Sequence, residues 1–216
     1  WLTLWLQKLG AKVIGFSDKE NYLSSRLELS KTLDNWYGDI RNIDLLRKCF
    51  ATSKPDIVIH LAAQSLVIDG YSAPRMTMET NFMGTVNILE CCREFEPTVL
   101  LVATSDKVYI PSSAIKNEND ALGGGCPYSS SKSASEMAVL GYENLLPKTS
   151  IATVRAGNVI GAGDRGKGRL LTDIVGAWDK NETMLIRFPS ATRPWQHVLD
   201  CLQGYLLLIE RLLEGK

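Results

Sequence analysis

Residues 98–105 read TVLLVATS, and residues 56–63 read DIVIHLAA. Both are short apolar runs that end in small or polar residues. A strand with one wet face alternates polar and apolar positions; a continuous run marks a strand buried on both faces. Between them, residues 76–95 carry a long helical pattern, and another covers 128–145. Buried strands alternating with helices predict a parallel sheet sandwiched between helices.

The alternation continues outward from this centre. Trp1, Leu2, Trp5, Leu6 and Leu9 fall at helical spacing, and Gly10 is placed to close that helix. KVIGFS (12–17) reads as a strand and is followed by a polar loop. Asp39 stands where a helix N-terminus can begin, and IDLLRKCF (43–50) is helical. On the other side, a loop rich in Gly, Asn and Ser spans 110–126. SIATVRAGNVIG (150–161) reads as a strand running into a glycine loop, 170–181 as a helix, MLIRF (184–188) as a short strand and 198–213 as a last helix. The expected fold class is α/β, a Rossmann-like doubly wound parallel sheet.

The bulk properties narrow the function. The 216 residues are 45% hydrophobic and 22% charged, enough for a real core in a soluble protein. Lys+Arg and Asp+Glu both number 24, so nothing in the net charge favours a nucleic-acid partner. The five cysteines form no C-x-x-C pair, and there are two histidines, so no metal site is expected. The cysteines read as reduced thiols of a cytoplasmic protein. WLTLWL at the start is too short for a signal peptide, and no stretch reaches membrane-span length.

Two motifs carry chemistry. Tyr128 and Lys132 are four apart, on one helical face. A nearby ammonium favours the phenolate and so lowers a tyrosine pKa, which suits general acid–base work near neutral pH. An ordinary helix surface shows the same spacing, so the pair alone is weak. Thr104-Ser105-Asp106-Lys107-Val108-Tyr109 follows the buried strand at 98–105 directly. Ligands of open α/β sheets bind beyond the carboxyl ends of strands, so a donor, an acid and a base are well placed there. A polar loop with a salt bridge would look the same.

Together these motifs resemble those of the extended short-chain dehydrogenase/reductase family. The resemblance also covers GDIR (38–41), HLAAQ (60–64), ETNFMGT (79–85), PYSSSK (127–132), RAGNVIG (155–161) and RPWQHV (193–198). Within that family the chain looks most like the CDP-glucose 4,6-dehydratases. They carry Asp-Lys where this chain has Asp106-Lys107 and the dTDP-glucose enzymes carry Asp-Glu; RPWQHV is also typical of the CDP-glucose group.

The resemblance implies roles. Tyr128 would take the proton of the sugar 4-hydroxyl while NAD accepts hydride from carbon 4. Lys132 would hold the nicotinamide ribose and depress the Tyr128 pKa, and Ser105 would bond the 4-oxygen. Lys107 would remove the carbon-5 proton and Asp106 would protonate the departing 6-hydroxyl. Hydride would return to carbon 6, so NAD is regenerated in each cycle. For the cofactor, Asp18 would accept from the adenosine ribose or is a plain loop aspartate. Asp39 and Ile40 match an adenine-edge pair, and Leu61, Ala62, Ala63 and Gln64 would line the dinucleotide. Asn81 is a family position or a helix-packing polar residue. Asn158 and Arg193 would bind the nucleotide sugar, with Arg169 and Arg187 as helpers or surface charges. His60 and His197 read as structural.

The same resemblance divides the chain into an NAD-binding domain at 1–160 and the start of a nucleotide-sugar region at 161–216. It implies a glycine-rich phosphate-binding turn before Trp1 and roughly a hundred further residues after Lys216, so the chain reads as a piece of a longer enzyme. It also implies a homodimer through the helices at 76–95 and 128–145. Departures touch substrate choice. Ile68 or Asp69 stands where relatives have a basic residue, Cys126 replaces an Asp, Arg165 a Trp and Gly168 an Asp. Two alternatives stand beside the dehydratase: a nucleotide-sugar 4-epimerase using the same Tyr and Lys, and a non-catalytic NAD-binding scaffold.

Overall fold

A computed structural model describes residues 1–20, 22–112, 114–166, 168–186 and 188–215. Its centre is three parallel strands: β3 (Ile57–His60), β4 (Val99–Ala103) and β5 (Ser150–Val154), in the order β3-β4-β5. Ile57 lies opposite Val99, and Val99 opposite Ser150. Along β4 the side chains alternate between two cores, as period-2 geometry requires. Leu100 and Val102 join Leu46 and Phe50 of α3 (Ile43–Ser53), Ile88 and Leu89 of α6 (Gly84–Phe95) and Val139 of α7 (Pro127–Tyr142). Val99 and Leu101 join Cys201, Leu202, Tyr205 and Ile209 of α9 (Val198–Leu213), with Leu2 and Trp5 of α1 (Leu2–Lys8) at the edge. These four strand residues are at most 1% exposed, and each contributes about 1.5–3 kcal/mol by leaving water. The doubly covered parallel sheet expected from the apolar runs is what forms.

Two further parallel pairs flank this centre. β1 (Ile14–Ser17) pairs with β2 (Asp34–Tyr37), and β6 (Asn158–Ile160) with β7 (Trp195–His197). Several expectations are corrected here. The polar loop after β1 contains α2 (Tyr22–Arg26) and β2; β2 reads DNWY, too short and polar to show as a buried strand. The single strand expected over 150–161 is two. The chain leaves the central sheet at Arg155, and β6 pairs elsewhere. At the bend, a Cβ on Gly157 would lie 2.7 Å from Cγ of Pro194 and 2.8 Å from its carbonyl oxygen, so only glycine permits this approach. MLIRF forms no strand at 184–186; no neighbour among the described residues offers a ladder, and Leu185 is 84% exposed. The helix after Asp39 begins later: Asn42 is its N-cap, with Oδ1 accepting from the Leu45 N–H at 3.1 Å.

Residues 67–95 run as α4 (Val67–Ser72), α5 (Pro74–Met78), a π-helical turn (Glu79–Met83) and α6. The wide turn has a local cause. The Asn81 carbonyl accepts hydroxyl hydrogen bonds from Thr85 at 2.7 Å and Ser135 at 3.0 Å. Such turns are frequent at functional sites. Helix α8 (Leu170–Asp179) completes the regular elements among the described residues. No helix among them is long and apolar enough to cross a membrane.

Candidate active site

Within each sheet the strands are parallel, so the carboxyl ends of β1 and β2 lie together, as do those of β3, β4 and β5. Asp18 follows β1, Asp39 follows β2, Leu61–Gln64 follow β3, Thr104–Lys107 follow β4 and Arg155–Asn158 follow β5. This is where an open α/β sheet binds ligands. The topology therefore gathers candidate residues at the carboxyl ends of the strands of each sheet.

Helix α7 supplies Tyr128 and Lys132 and packs closely because its inner face is small. Ser129, Ser131, Ser133 and Ser135 are buried, and a buried hydroxyl is costly unless hydrogen-bonded. Ser131 Oγ donates to the Tyr128 carbonyl at 2.7 Å, Ser133 Oγ to the Val108 carbonyl at 2.7 Å, and Ser135 Oγ to the Ser131 carbonyl at 3.0 Å. The helix opens on Cys126, whose Sγ accepts from the Ser129 N–H at 3.5 Å. Gly124, at φ +80°, precedes it where a Cβ would sit 2.6 Å from the Ser129 carbonyl carbon.

Tyr128 is 8% exposed and Lys132 5%. Burial pushes the Tyr128 phenol above its ordinary value, and the neighbouring Ser105 hydroxyl only partly offsets this. The lowering of the phenol expected from Lys132 is therefore not seen. The Lys132 ammonium donates instead to the Ala103 carbonyl at 2.9 Å, and burial lowers its own pKa to about 8.

Ser105, Asp106 and Lys107 form a tight turn (Asp106–Val108) at the end of β4. Ser105 Oγ donates to Asp106 Oδ1 at 3.1 Å and accepts from the Lys107 N–H at 3.2 Å. Lys107 Nζ lies 3.9 Å from Asp106 Oδ1, with its side chain 40% exposed. The Asp106 charge pushes the Tyr128 phenol further up and the Arg169 charge pulls it down.

The cofactor candidates separate into two kinds. Asn81, 1% exposed, is a clamp: its Oδ1 accepts from the Gln64 N–H at 2.8 Å and its Nδ2 donates to the Gln64 carbonyl at 3.0 Å and to Ser131 Oγ at 2.9 Å. It ties the loop after β3 to the helix of Tyr128 and Lys132. The Gln64 side chain is spent on Leu66 of its own loop, at 2.7 and 2.9 Å. Leu61 is exposed, while Ala62 and Ala63 are half-buried and small enough for a ligand to approach the backbone. Asp18 is exposed beyond β1. Ile40 puts its side chain in the core, and its carbonyl accepts from Asn87 Nδ2 at 2.9 Å. Asp39 is held by Arg41 through the backbone N–H at 2.8 Å and the guanidinium at 3.0 Å, and the Arg41 hydrogen bond keeps its carboxyl below the usual range. Asp39 and Arg41 line an open cleft with Asn42, Glu79, Met83 and Asn87. Small backbone-exposing residues after β3 and acidic groups after β1 and β2 form a donor and acceptor set that fits an extended dinucleotide.

The substrate candidates are less uniform. Asn158 Oδ1 is buried without a hydrogen-bond partner among the described residues, an acceptor open to a donor. Arg169 links two loops, donating to Asp164 Oδ2 at 2.8 Å and to Ser65 Oγ at 2.9 Å. Arg193 is exposed just before β7, and its guanidinium donates to the Thr192 carbonyl at 2.6 Å. Arg187 lies outside the described residues. Both histidines have structural partners: His60 Nε2 is 3.0 Å from Thr85 Oγ1, and His197 Nδ1 accepts from the Leu199 N–H at 3.3 Å to cap α9.

Two residues given no role by the sequence reading stand out. Glu136, one helical turn beyond Lys132, forms a bidentate pair with Arg155, at 2.8 Å through Nε and 2.6 Å through Nη2. Glu136 Oε1 also accepts from Thr104 Oγ1 at 2.6 Å. Burial pushes the Glu136 carboxyl up, but the hydrogen bonds from Arg155 and Thr104 outweigh it and hold it below its usual range. The available signals were the four-residue spacing from Lys132 and the place of Arg155 at the head of RAGNVIG.

Known proteins match this architecture. The NAD dependent epimerase/dehydratase family profile matches residues 1–216. The CDP-glucose 4,6-dehydratase of Salmonella typhimurium is 39% identical, over 98% of this chain and 63% of its own length. The UDP-glucose 4-epimerase of Pisum sativum is 28% identical, over 87% and 59%. A crystal structure of the UDP-glucose 4-epimerase of Thermotoga maritima with UDP-glucose superposes with a TM-score of 0.86 at 21% identity, over 97% of this chain and 69% of that one, and shows the fold alone. The chain thus spans about three fifths of the length of these curated relatives. Buried parallel strands, the Tyr128–Lys132 helix and a profile match from end to end agree: the chain belongs to the NAD dependent epimerase/dehydratase family.

Proposed function

We propose that this chain carries the catalytic wall of an NAD-dependent nucleotide-sugar 4,6-dehydratase, with CDP-glucose the favoured substrate. The observation that supports this reading most is the turn at the end of β4 that holds Ser105, Asp106 and Lys107 together, with Ser105 and Asp106 acting on the Tyr128 phenol. An oxidation at carbon 4 needs only the tyrosine, lysine and serine. An added acid and base suit a subsequent elimination.

When bound, NAD supplies the hydride acceptor for carbon 4 and the donor for carbon 6. Leu61–Gln64, Asp18 and Asp39 would hold it, and Lys132 would turn from the Ala103 carbonyl to its ribose. Tyr128 takes the 4-hydroxyl proton, with the Ser105 hydroxyl bonding the same oxygen. The 4-keto group acidifies carbon 5. Lys107 removes the carbon-5 proton, and Asp106 protonates the 6-hydroxyl as it leaves as water. Asn158, with its unpartnered acceptor, and Arg169, Arg187 and Arg193 would bind the nucleotide diphosphate and sugar. The division into an NAD-binding part (1–160) and the start of a sugar-nucleotide part (161–216) belongs to the same reading. So does a homodimer through α6 and α7, where Met137 and Leu140 are exposed three residues apart on α7.

The test uses the protein expressed from its complete gene with NAD and CDP-, dTDP-, GDP- or UDP-glucose. A 4-keto-6-deoxy product, read as alkali-dependent absorbance, is expected from CDP-glucose. Absence of product from all four sinks the reading, and UDP-galactose from UDP-glucose would establish the epimerase. Lys107→Ala should keep carbon-4 oxidation and lose elimination; elimination at the wild-type rate would remove Lys107 from its role.

A further inference from the structure

The segment from Asp106 to Gly123 leaves the fold with few anchors of its own. Residues 110–112 and 114–121 are mostly exposed, and Ile115 is 98% exposed. The segment is closed at its base by the Tyr109–Leu122 bridge and the hydrogen bond from the Gly123 N–H to the Val108 carbonyl at 2.8 Å. Two side chains from outside hold it: Ser133 Oγ donates to the Val108 carbonyl at 2.7 Å, and Arg155 reaches across the segment. Arg155 Nη1 donates to Tyr109 Oη at 3.1 Å and to the Glu118 carbonyl at 3.1 Å, and its guanidinium lies 5.0 Å from the Tyr109 ring centroid. The remaining guanidinium nitrogens are fixed by Glu136, whose side chain is only 4% exposed. A planar cation with five donors can serve carboxylate, phenol and carbonyl at once; an ammonium cannot.

This arrangement touches both halves of the proposed chemistry. Glu136 rides on α7 with Tyr128 and Lys132. Thr104, bonded to Glu136, precedes Ser105, and Tyr109 follows Lys107 by two residues. The residue after Arg155 takes part as well: the Ala156 carbonyl accepts from the Asp106 N–H at 3.1 Å.

We infer that Arg155, held by Glu136, is a positioning residue that sets the Asp106–Lys107 pair against the tyrosine–lysine helix, so that it governs elimination rather than oxidation. The inference rests on the dehydratase reading for its catalytic half and on geometry alone for the clamp. Tyr128 and Lys132 are fixed by the serine bonds of α7 and by Asn81, so they keep their places when Arg155 is altered. The acid and base sit in a turn held by the Ala156 carbonyl and Ser133 and continuous with the clamped Tyr109, so loss of the clamp reaches them first.

The experiment compares Arg155→Lys and Tyr109→Phe with wild type in the protein expressed from its complete gene. Amide hydrogen exchange should quicken in 106–123 in both variants and stay unchanged in 127–142. In single turnover with CDP-glucose, carbon-4 oxidation should hold its rate while elimination slows about 10- to 100-fold, so reduced cofactor accumulates and solvent deuterium enters carbon 5 more slowly. Tyr109→Phe keeps the ring and removes one acceptor, so it folds even if Arg155→Lys does not. Equal slowing of oxidation and elimination would show a merely structural pair and overturn the catalytic half. Unchanged exchange in 106–123 would overturn the clamp, whatever the enzyme turns over. A wild type that turns over no nucleotide sugar defeats the dehydratase reading and the catalytic half with it, and exchange alone then decides the clamp.

Discussion

The wall made by β4, α7 and β5 and the stretch from Gly161 to Gln196 are built in opposite ways. In the wall, Val99 to Val102 are at most 1% exposed, and Glu136 is met by Arg155, Thr104 and Thr153. In the stretch, Trp178, Leu185 and Phe188 are 81%, 84% and 74% exposed. Its ties to the rest include two side-chain bonds, Arg169 to Ser65 and Trp1 to the Ala162 carbonyl. The wall holds its polar groups in single positions because each buried one has a partner that cannot be replaced by water. That makes it the part able to set reacting groups within the tolerance chemistry requires. The stretch holds candidate binding residues with no comparable support.

The comparison predicts where substitutions hurt. Glu136→Ala strands a largely buried guanidinium and leaves the Thr104 hydroxyl without its carboxylate, so it should cost about 3–5 kcal/mol by equilibrium denaturation. A loss below about 1 kcal/mol would mean the wall is not held by its ion pair. The next effect depends on pH. Burial, aided by the charge of Lys132, lowers the His60 pKa to about 3 from 6.5. The unfolded chain binds this proton first, so the contribution is present above pH 6.5 and is lost as the pH falls toward 3. Between pH 7 and 5 the wild type should lose about 2 kcal/mol from this group, and His60→Gln should remove that slope. An unchanged slope would assign the acid sensitivity to another group.

Lys132 has the opposite balance. Its pKa falls to about 8 because burial penalises the ammonium, so folding is disfavoured below that pH and favoured progressively as pH rises from 8 toward 10.5. Lys132→Met should therefore stabilise the fold by about 1–2 kcal/mol at pH 7, after allowing for the lost bond to Ala103. The gain should shrink as pH rises, and carbon-4 oxidation should disappear. A destabilised Lys132→Met protein at pH 7 would show that the lysine is a structural donor first.

Much of this contrast was legible in the sequence. TVLLVATS and DIVIHLAA became β4 and β3 because a continuous apolar run has few alternatives to a doubly covered parallel strand. Ser105, Asp106 and Lys107 follow the carboxyl end of β4, and Lys132 of α7 reaches that end through the Ala103 carbonyl. What was not legible depends on tertiary partners. DNWY became β2 because β1 offers a ladder, and 184–186 form no strand because no described neighbour offers them one. The direction of the Tyr128 shift was misjudged for a related reason: spacing gives proximity to Lys132, but not the burial that outweighs it or the carbonyl that takes the ammonium. Glu136 and Arg155 are 19 residues apart in the chain and have no spacing rule to announce them.

The smallest predicted effect is the most demanding for the comparison. Leu185 is as apolar as Leu100, yet one is 84% exposed and the other 0%. Removing side-chain carbons that are already in water forfeits neither transfer free energy nor packing. Leu185→Ala should therefore shift stability by less than about 0.5 kcal/mol in denaturant. A cost above about 1 kcal/mol would require Leu185 to be covered in solution. The stretch would then owe its order to a contact of its own, and the two regions would differ in what covers them rather than in how they are built.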